Sequence, residues 1–462
     1  MRLVCWWWVV EFETQTGQKL VHFVFFNRHH FWNVLTSNST RKQSCLSMES
    51  KVTPETRDAP IYQTFSELFA KGFTLDTATW VFVLAIHVAA IGLGAWVSLA
   101  APQDWASIAL AWAAIHFVIG SMSTTVYSHR LITHSAVKTV SVPVHLFFCL
   151  FGQVLSVQGS VRRWSANHVL HHGVDRHGKK ELDPYSATWF PDTLRNFLWS
   201  HTLTHLFNHP DSDEYRRAYN AKRHPIIVWQ DRNYGALIVF WIFAVPLVLG
   251  FFLGGLTGAL SLLAGSLVGS VAVQHNTWTV NSVTHLWGWT KGLKSSAVNN
   301  FIWLGPMGEG NHHADHHDFP RDYRNGFGWS GWVLDPTRYV ILALRAMGLV
   351  RGLNHANRRD EAEIISARKL AKVEALKRLN TDAIRLSAQL ESRVMELRKE
   401  WLEAVSSWEA LRAESKLVQR ANATYKELTQ EMRHAKRIVR ERKQAFIDAV
   451  ELLHTQAFDY AR

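Results

Sequence analysis

Apolar residues are gathered into long blocks along this 462-residue chain. Residues 77–101 and 105–126 are each long and apolar enough to cross a hydrocarbon core of about 30 Å, which takes about 20 residues of helix. Only Pro102, Gln103 and Asp104 lie between them, so the pattern predicts a helical hairpin. Residues 234–273 form a further apolar block, too long for one crossing, with Gly250, Gly254, Gly255 and Gly258 at its middle. A break at those glycines predicts a second hairpin, with spans at about 234–253 and 256–273. A shorter apolar stretch, 142–157, is interrupted by Pro143, His145, Gly152 and Gln153. It is expected to lie in the membrane interface or to dip in and out.

Past residue 350 the character changes. Residues 351–462 hold 40 charged side chains and no proline. Leu390, Val394, Leu397, Trp401, Ala404, Trp408 and Leu411 recur there at spacings of four and three, a heptad seam. Leu376, Leu379, Ala383 and Leu386 precede it with a register hitch, and Val418, Asn422 and Tyr425 continue it less cleanly. Just before this tail, Asp335 and Pro336 read as the N-cap and first residue of a helix running to Leu349. The expected organisation is an N-terminal segment at 48–76, an all-α membrane domain at 77–350 and a charged helical tail at 351–462.

The net charge of +12 comes from 50 Lys and Arg against 38 Asp and Glu, and its placement matters more than its size. Residues 77–128 and 233–290 contain no Lys or Arg, whereas the segment between them carries Arg162, Arg163, Lys179, Lys180, Arg216 and Arg217 among others. By the positive-inside rule that segment, both termini and everything after Trp289 are cytoplasmic. No nucleic-acid partner is expected. Residues 1–47 begin with a short apolar run that Glu11 and Glu13 interrupt, with no small-residue cleavage site, so they do not read as a secretory signal. They are expected to be a start-site artefact ahead of Met48 or an extra interfacial segment. Cys5, Cys45 and Cys149 have no CxxC spacing, so no disulfide framework, zinc knuckle or thiolate cluster is expected.

Any metal must therefore be held by imidazole or oxygen, and the 25 histidines are clustered. HRLITH carries His129 and His134, HVLHH carries His168, His171 and His172, NSVTH carries Asn281 and His285, and HHADHH carries His312, His313, His316 and His317. Positions i, i+3 and i+4 share a helix face, so each HxxHH set is expected to converge on one small volume. His129 and His134 lie about 140° apart on an ideal helix, which suits two different metals or a helix end. Clustered neutral imidazoles suit iron, copper, nickel or zinc. Nine ligands exceed what one metal accepts, so two are expected, and a redox-capable pair beside a membrane points to dioxygen chemistry on a lipid. His87, His116 and His145, single in apolar segments, are expected to be hydrogen-bonded or interfacial. His201, His205 and His209, at i, i+4 and i+8, read as a solvated or interfacial helix face, with a secondary metal site as the alternative.

These motifs resemble those of the integral-membrane acyl-CoA desaturases, the stearoyl-CoA Δ9 type and its bacterial relatives. The likeness runs from about Ile61 to Val350. It rests on HRLITH, on WSANHVLHH followed by Asp183 and Pro184, on TWTVNSVTHLWG and on GEGNHHADHHDFPRDYR. The resemblance implies four transmembrane helices and a cytosolic helical cap around two iron ions. It implies His129, His134, His168, His171, His172, His285, His313, His316 and His317 as ligands, with Asn281 reaching one iron through water. The family usually places its first third-box histidine two residues after GEG, at His312 here, whereas the HxxHH spacing selects His313.

The implied reaction inserts a cis double bond, at Δ9, into the saturated chain of an acyl-CoA or acyl-lipid, using O2 and two electrons from an external donor such as a ferredoxin or a cytochrome b5-type protein. No haem, CxxC or flavin motif is present to carry those electrons within the chain. Phe117, about three helical turns before His129, is a candidate floor for the acyl path. Arg162, Arg163, Lys179 and Lys180 meet CoA phosphates or a redox partner, or serve only topology. The tail is an intramolecular hairpin, or it serves oligomerisation or donor docking. Two alternatives keep the same residues: a membrane di-iron hydroxylase or alkane-type monooxygenase, and a non-enzymatic metal transporter or sensor, which the absence of Asp and Glu from the predicted spans disfavours.

Overall fold

The computed structural model describes residues 10–13, 19–22, 59–177, 179–293, 295–300, 308–379, 388–417 and 423–459. Residues 1–53 and 54–462 form separate compact units. In the first, β1 (Val10–Glu13) pairs antiparallel with β2 (Lys19–His22), placing Val10 opposite His22. The rest of the segment expected to be an artefact or an interfacial extension lies outside the described residues.

The second unit is mostly helical. α1 (Ser66–Ala70) and β3 (Thr74–Leu75) lead into α2 (Thr77–Ala100), which Asp76 caps by accepting the Thr79 N–H at 3.1 Å. A tight turn opens α3 (Gln103–Met122), so the predicted hairpin forms. α3 then runs on as a π-helix through Ser123–Thr133. After β4 (Val137–Val140) come α4 (Val142–Phe147), a π turn at Phe148–Gly152 and α5 (Gln153–Ser156). Val157 takes a left-handed conformation with φ 50°, and the chain turns by 73° into α6 (Val161–His177).

α7 (Thr193–His201), β5 (Phe207–Asn208) and α8 (Asp213–Ala221) follow, with β5 antiparallel to β3. Then α9 (Pro225–Ile238), a π segment at Val239–Ala244 and α10 (Val245–Leu286) make 62 helical residues in succession. They do not form one rod, because Gly254 and Gly255 have non-helical backbones, Gly255 with φ 59°. Residues eight apart on a straight helix are separated by about 12 Å. Here a methyl group on Gly250 would stand 2.4 Å from the Gly258 carbonyl oxygen, so the chain doubles back at the glycines. The returning limb packs on α3, where Gly265 and Gly269 lie against the carbonyls of Ala109 and Ala113, a small-residue crossing of the kind that brings membrane helices close.

Among the described residues, three helices are long and apolar enough to cross a membrane, or four if the bent pair around Val157 is one span. Their outward faces are bare of polar cover: Ile91, Leu99, Leu110 and Phe252 are 73%, 87%, 72% and 83% exposed. An apolar surface of that extent is stable only against lipid. This is a membrane protein.

Beyond the spans, β6 (Thr290–Lys291) pairs with β7 (Val298–Asn299), and α11 (His313–Asp318), α12 (Gly328–Val333) and α13 (Pro336–Ala346) follow. Asp335 caps α13 through the Arg338 N–H, and Pro336 opens it, as the sequence predicts; the helix ends at Ala346, three residues earlier than expected. The reason is β8 (Val350–Leu353), which pairs antiparallel with β4, Val137 opposite Leu353. This and the other short strand pairs qualify the all-α expectation. The tail forms α14 (Arg358–Leu379), α15 (Ala388–Ser415) and α16 (Ala423–Asp459) around one core that includes Val373, Val394, Leu397, Trp401, Phe446 and Val450. In α15 the buried line passes through Val405 and leaves Ala404 half-exposed, so the heptad seam drifts at its centre. Ala383, Leu386, Val418 and Asn422 lie outside the described residues.

A Cβ on Gly258 would stand 2.2 Å from the Gly250 carbonyl oxygen, whereas one on Gly92 would meet nothing within 4 Å. Gly258→Ala is therefore expected to destabilise the protein by about 1–3 kcal/mol and Gly92→Ala to be near neutral, compared by thermal unfolding in detergent.

Candidate metal centre

Nine histidines from four parts of the chain meet in two buried groups. His129, His134, His168, His172 and His316 bring ligand atoms within 4.8 Å of one another, and His171, His285, His313 and His317 form a second such set. The groups adjoin, with the His172 and His317 rings stacked at 4.0 Å.

Helical winding decides which ring joins which group: the two HxxHH sets depart from expectation, while His134, the C-cap of the π-helical stretch, stands at the helix end that its spacing from His129 allowed. Each HxxHH set splits: His168 and His172, four apart, enter the first group while His171 enters the second, and His313 and His317 enter the second while His316 enters the first. On a helix i+3 and i+4 lie on opposite flanks of the direction set by i, about 100° apart, so a box standing between two centres feeds both. His129 and His134 join the same group. The His134 N–H donates to the His129 carbonyl at 3.1 Å, a bond spanning five residues, and this π winding brings edge to face, at 4.9 Å, rings that an α-helix would splay.

The spacing of nitrogen atoms fits a metal at each centre. Nε2 atoms approach pairwise at 2.8 Å for His129 and His316, 3.1 Å for His168 and His172, 3.2 Å for His172 and His316, and 2.9 Å for His285 and His313. Two imidazole nitrogens each about 2.1 Å from one metal, at a right angle, are about 3 Å apart. His171 donates its Nδ1–H to Asp183 at 2.8 Å, and its buried Nε2 has no hydrogen-bond partner, which leaves a bare lone pair in the second group. His285 is held by Ser296 at 2.9 Å. Burial first, then neighbouring rings, hold His313, His316 and His317 well below the ordinary histidine pKa, so they are neutral and able to ligate at pH 7.

A charged network behind His129 completes the first group. Glu309 lies 3.5 Å from His129 Nδ1 and accepts hydrogen bonds from Thr125 and from Asn325 at 2.6 Å. Arg130 reaches Glu309 at 3.4 Å and Asp335 at 2.8 Å, all three side chains being buried. Burial pushes the Glu309 carboxyl up, but Arg130, His129 and Thr125 outweigh it and hold it at about 2. Sequence reasoning missed this network, although Arg130 stands inside HRLITH and Glu309 inside GEG; a charge within a ligand motif was the available signal.

Asn281 is buried one helical turn before His285. His312 lies outside both groups, its Nδ1 facing Asp315 at 3.2 Å. Phe117 is half-buried on α3. Arg162 lies over the Tyr219 ring at 3.8 Å and Lys179 pairs with Glu214 at 2.9 Å, while Arg163 is 71% exposed. His201, His205 and His209 do not form a helix face, because α7 ends at His201. His201 instead faces His275 at 3.2 Å, His205 stacks on Trp278, and His209 meets Thr204. His87, His116 and His145 hydrogen-bond Val83, Trp112 and Tyr127, as expected of single histidines in apolar helices.

A helical membrane protein that buries nine imidazoles in two adjoining sets has the site of a membrane metalloprotein. Comparison with known proteins narrows the class. The profile of the family described as fatty acid desaturase matches residues 126–330. The chain is 31% identical over 246 residues to the sn-2 palmitoyl-lipid 9-desaturase of a Nostoc species, covering 51% of this chain and 78% of that protein. It is 27% identical over 298 residues to the sn-1 stearoyl-lipid 9-desaturase of Anabaena variabilis, covering 62% of this chain and 100% of the relative. Acyl-CoA desaturase 1 of Saccharomyces cerevisiae is 29% identical over 244 residues, 52% of this chain and 44% of the yeast protein. The chain belongs to the fatty acid desaturase family. It is an oxidoreductase that desaturates fatty acyl chains.

Replacing Arg130 by Met would leave the buried carboxylates of Glu309 and Asp335 without their shared cation. Arg130→Met is expected to cost about 3–5 kcal/mol of stability, measured by thermal unfolding in detergent against Arg216→Met, whose parent side chain is 56% exposed.

Proposed function

We propose that this protein introduces a cis double bond at carbon 9 of a saturated acyl chain, carried by CoA or by a membrane lipid, at a centre of two iron ions. The convergence of nine imidazoles into two groups carries this reading. One iron would be held by His129, His134, His168, His172 and His316 and the other by His171, His285, His313 and His317, with Asn281 reaching one of them through water. The short Nε2–Nε2 spacings, the bare His171 Nε2 and the lowered basicity of His313, His316 and His317 support this ligand set. Δ9 placement is supported by the names of the cyanobacterial relatives, which act on lipid-linked acyl chains, and the yeast relative keeps the CoA thioester open.

The overall change converts –CH2–CH2– to –CH=CH–, and the two hydrogen atoms removed, together with two electrons from the donor and two protons, reduce O2 to two waters. Bound at these groups, iron supplies the oxidising strength that removal of hydrogen from an unactivated methylene demands. The chain's own residues hold the geometry. Asp183 fixes the His171 ring so that Nε2 faces inward, Ser296 does the same for His285, and Glu309 backs His129. Burial of all nine rings keeps bulk water from the centre. Electrons come from another protein, such as a ferredoxin or a cytochrome b5-type donor. Four crossings, α2, α3 and the two limbs joined at Gly254 and Gly255, leave the centre and both termini on the cytoplasmic side, as the Lys and Arg distribution requires. Phe117, half-buried on α3, is the proposed floor of the acyl path.

Expression in a desaturase-deficient host, followed by mass spectrometry of double-bond position, tests the reaction. New monoenes unsaturated at carbon 9 are expected, with Phe117→Ala moving the profile to longer chains; an iron-loaded protein yielding only alcohols would sink the proposal. The ligand set is tested by iron content. Two irons per chain are expected, with His313→Ala losing one or both and His312→Ala retaining them; the reverse pattern would transfer the ligand role to His312.

A further inference from the structure

The family profile ends at residue 330, yet a residue well beyond it touches the helix that carries three of the histidines. Arg368 of α14 hydrogen-bonds Asp315 and places Nη2 2.6 Å and Nε 3.2 Å from the Asp318 carboxylate. Asp315 stands between His313 and His316, and Asp318 follows His317. The contact is sealed, with side-chain exposures of 11% for Arg368, 11% for Asp315 and 0% for Asp318. A second tie lies nearby: Arg324 bridges Asp322 at 2.6 Å and Glu361 of α14 at 2.7 Å.

α11 needs such an anchor. It has six residues and no side-chain N-cap, too short to persist by its own hydrogen bonds. Its inward face carries rings from both metal groups, so a small rotation would move ligands of both. On its outer face are two buried carboxylates that a planar guanidinium can grip together. Arg368 is itself held by the tail, because α14 contributes Ala362 and Val373 to the core shared with Val394, Leu397, Trp401 and Phe446.

We propose that Arg368 is a positioning residue of the metal centre, clamping α11 through Asp315 and Asp318, and that the tail's helical core exists in part to present it. The inference rests on the reading of His313, His316 and His317 as iron ligands. The tail is then a component of the site, and its loss or displacement loosens metal without altering any ligand.

The test is iron retention by the full-length protein in detergent under challenge with a ferrous chelator, followed by metal analysis and by the electronic spectrum of the centre. Iron affinity of Arg368→Met is expected to fall about 10–100-fold, the usual effect of removing an outer-shell partner. Arg368→Lys, which keeps the charge and loses the fork, is expected to fall between that variant and the parent. Arg393→Met, which removes a tail ion pair 53% exposed on the arginine side, should retain iron like the parent. Parent-like retention by both Arg368→Met and Arg368→Lys would overturn the clamp. Should Arg368→Met fail to fold, Arg368→Lys decides alone: parent-like retention and spectrum overturn the clamp, weakened retention upholds it. Parent protein without iron would instead sink the reading of the centre.

Discussion

Nine imidazoles buried together are the constraint that the rest of the structure serves. A buried polar ring without partners is costly, and a charged one more so. The fold satisfies these rings by pointing Nε2 atoms at shared points, where spacings near 3 Å suit a coordinated cation. Asp183, Ser296 and Glu309 take up the other sides of His171, His285 and His129. The four chain segments involved must be pressed together from outside the histidine shell, and most of the remaining architecture does that pressing.

Three devices share the work. Within the apolar layer, small residues let α3 and the returning limb of α10 approach backbone to backbone, which sets where His129 and His285 emerge. At the emergence, the Arg130–Asp335–Glu309 network ties the π-helical stretch to the GEG loop and to the start of α13, so the Asp335 that caps a helix also balances a cation behind a histidine. Farther out, β8 pairs with β4 and starts the tail close to α11, where Arg324 and Arg368 cross from one part of the chain to another. The tail lies beyond the segment that the family profile covers, and its contact at Arg368 is built on two aspartates of the histidine box.

Much was legible before any coordinates because it depends on local chemistry. A 20-residue apolar run can satisfy its backbone in lipid only as a helix, so the first hairpin and the turn at Gly254 and Gly255 follow from composition. Asp335 and Pro336 announced α13 because capping is a contact between near neighbours. The histidine boxes were visible because ligands cluster by residue type and spacing. His201, His205 and His209 misled for the same reason: their period matches a helix face, but the helix stops at His201 and tertiary contacts with His275 and Trp278 take over.

The sequence by itself determined that this chain crosses a membrane, that imidazole is its metal-binding group and that a charged helical tail follows, because each depends on the composition of one contiguous stretch. Only the tertiary structure decided how the rings are shared out. The division of each HxxHH set between two groups depends on two helices meeting at a particular rotation, and the union of His129 with His134 on a π winding that residue spacing does not encode. The ties of Arg130 to Asp335 and of Arg368 to Asp318 join residues far apart in the chain. Such contacts are energetically meaningful only after folding has removed the water between them, and a linear pattern carries no record of that.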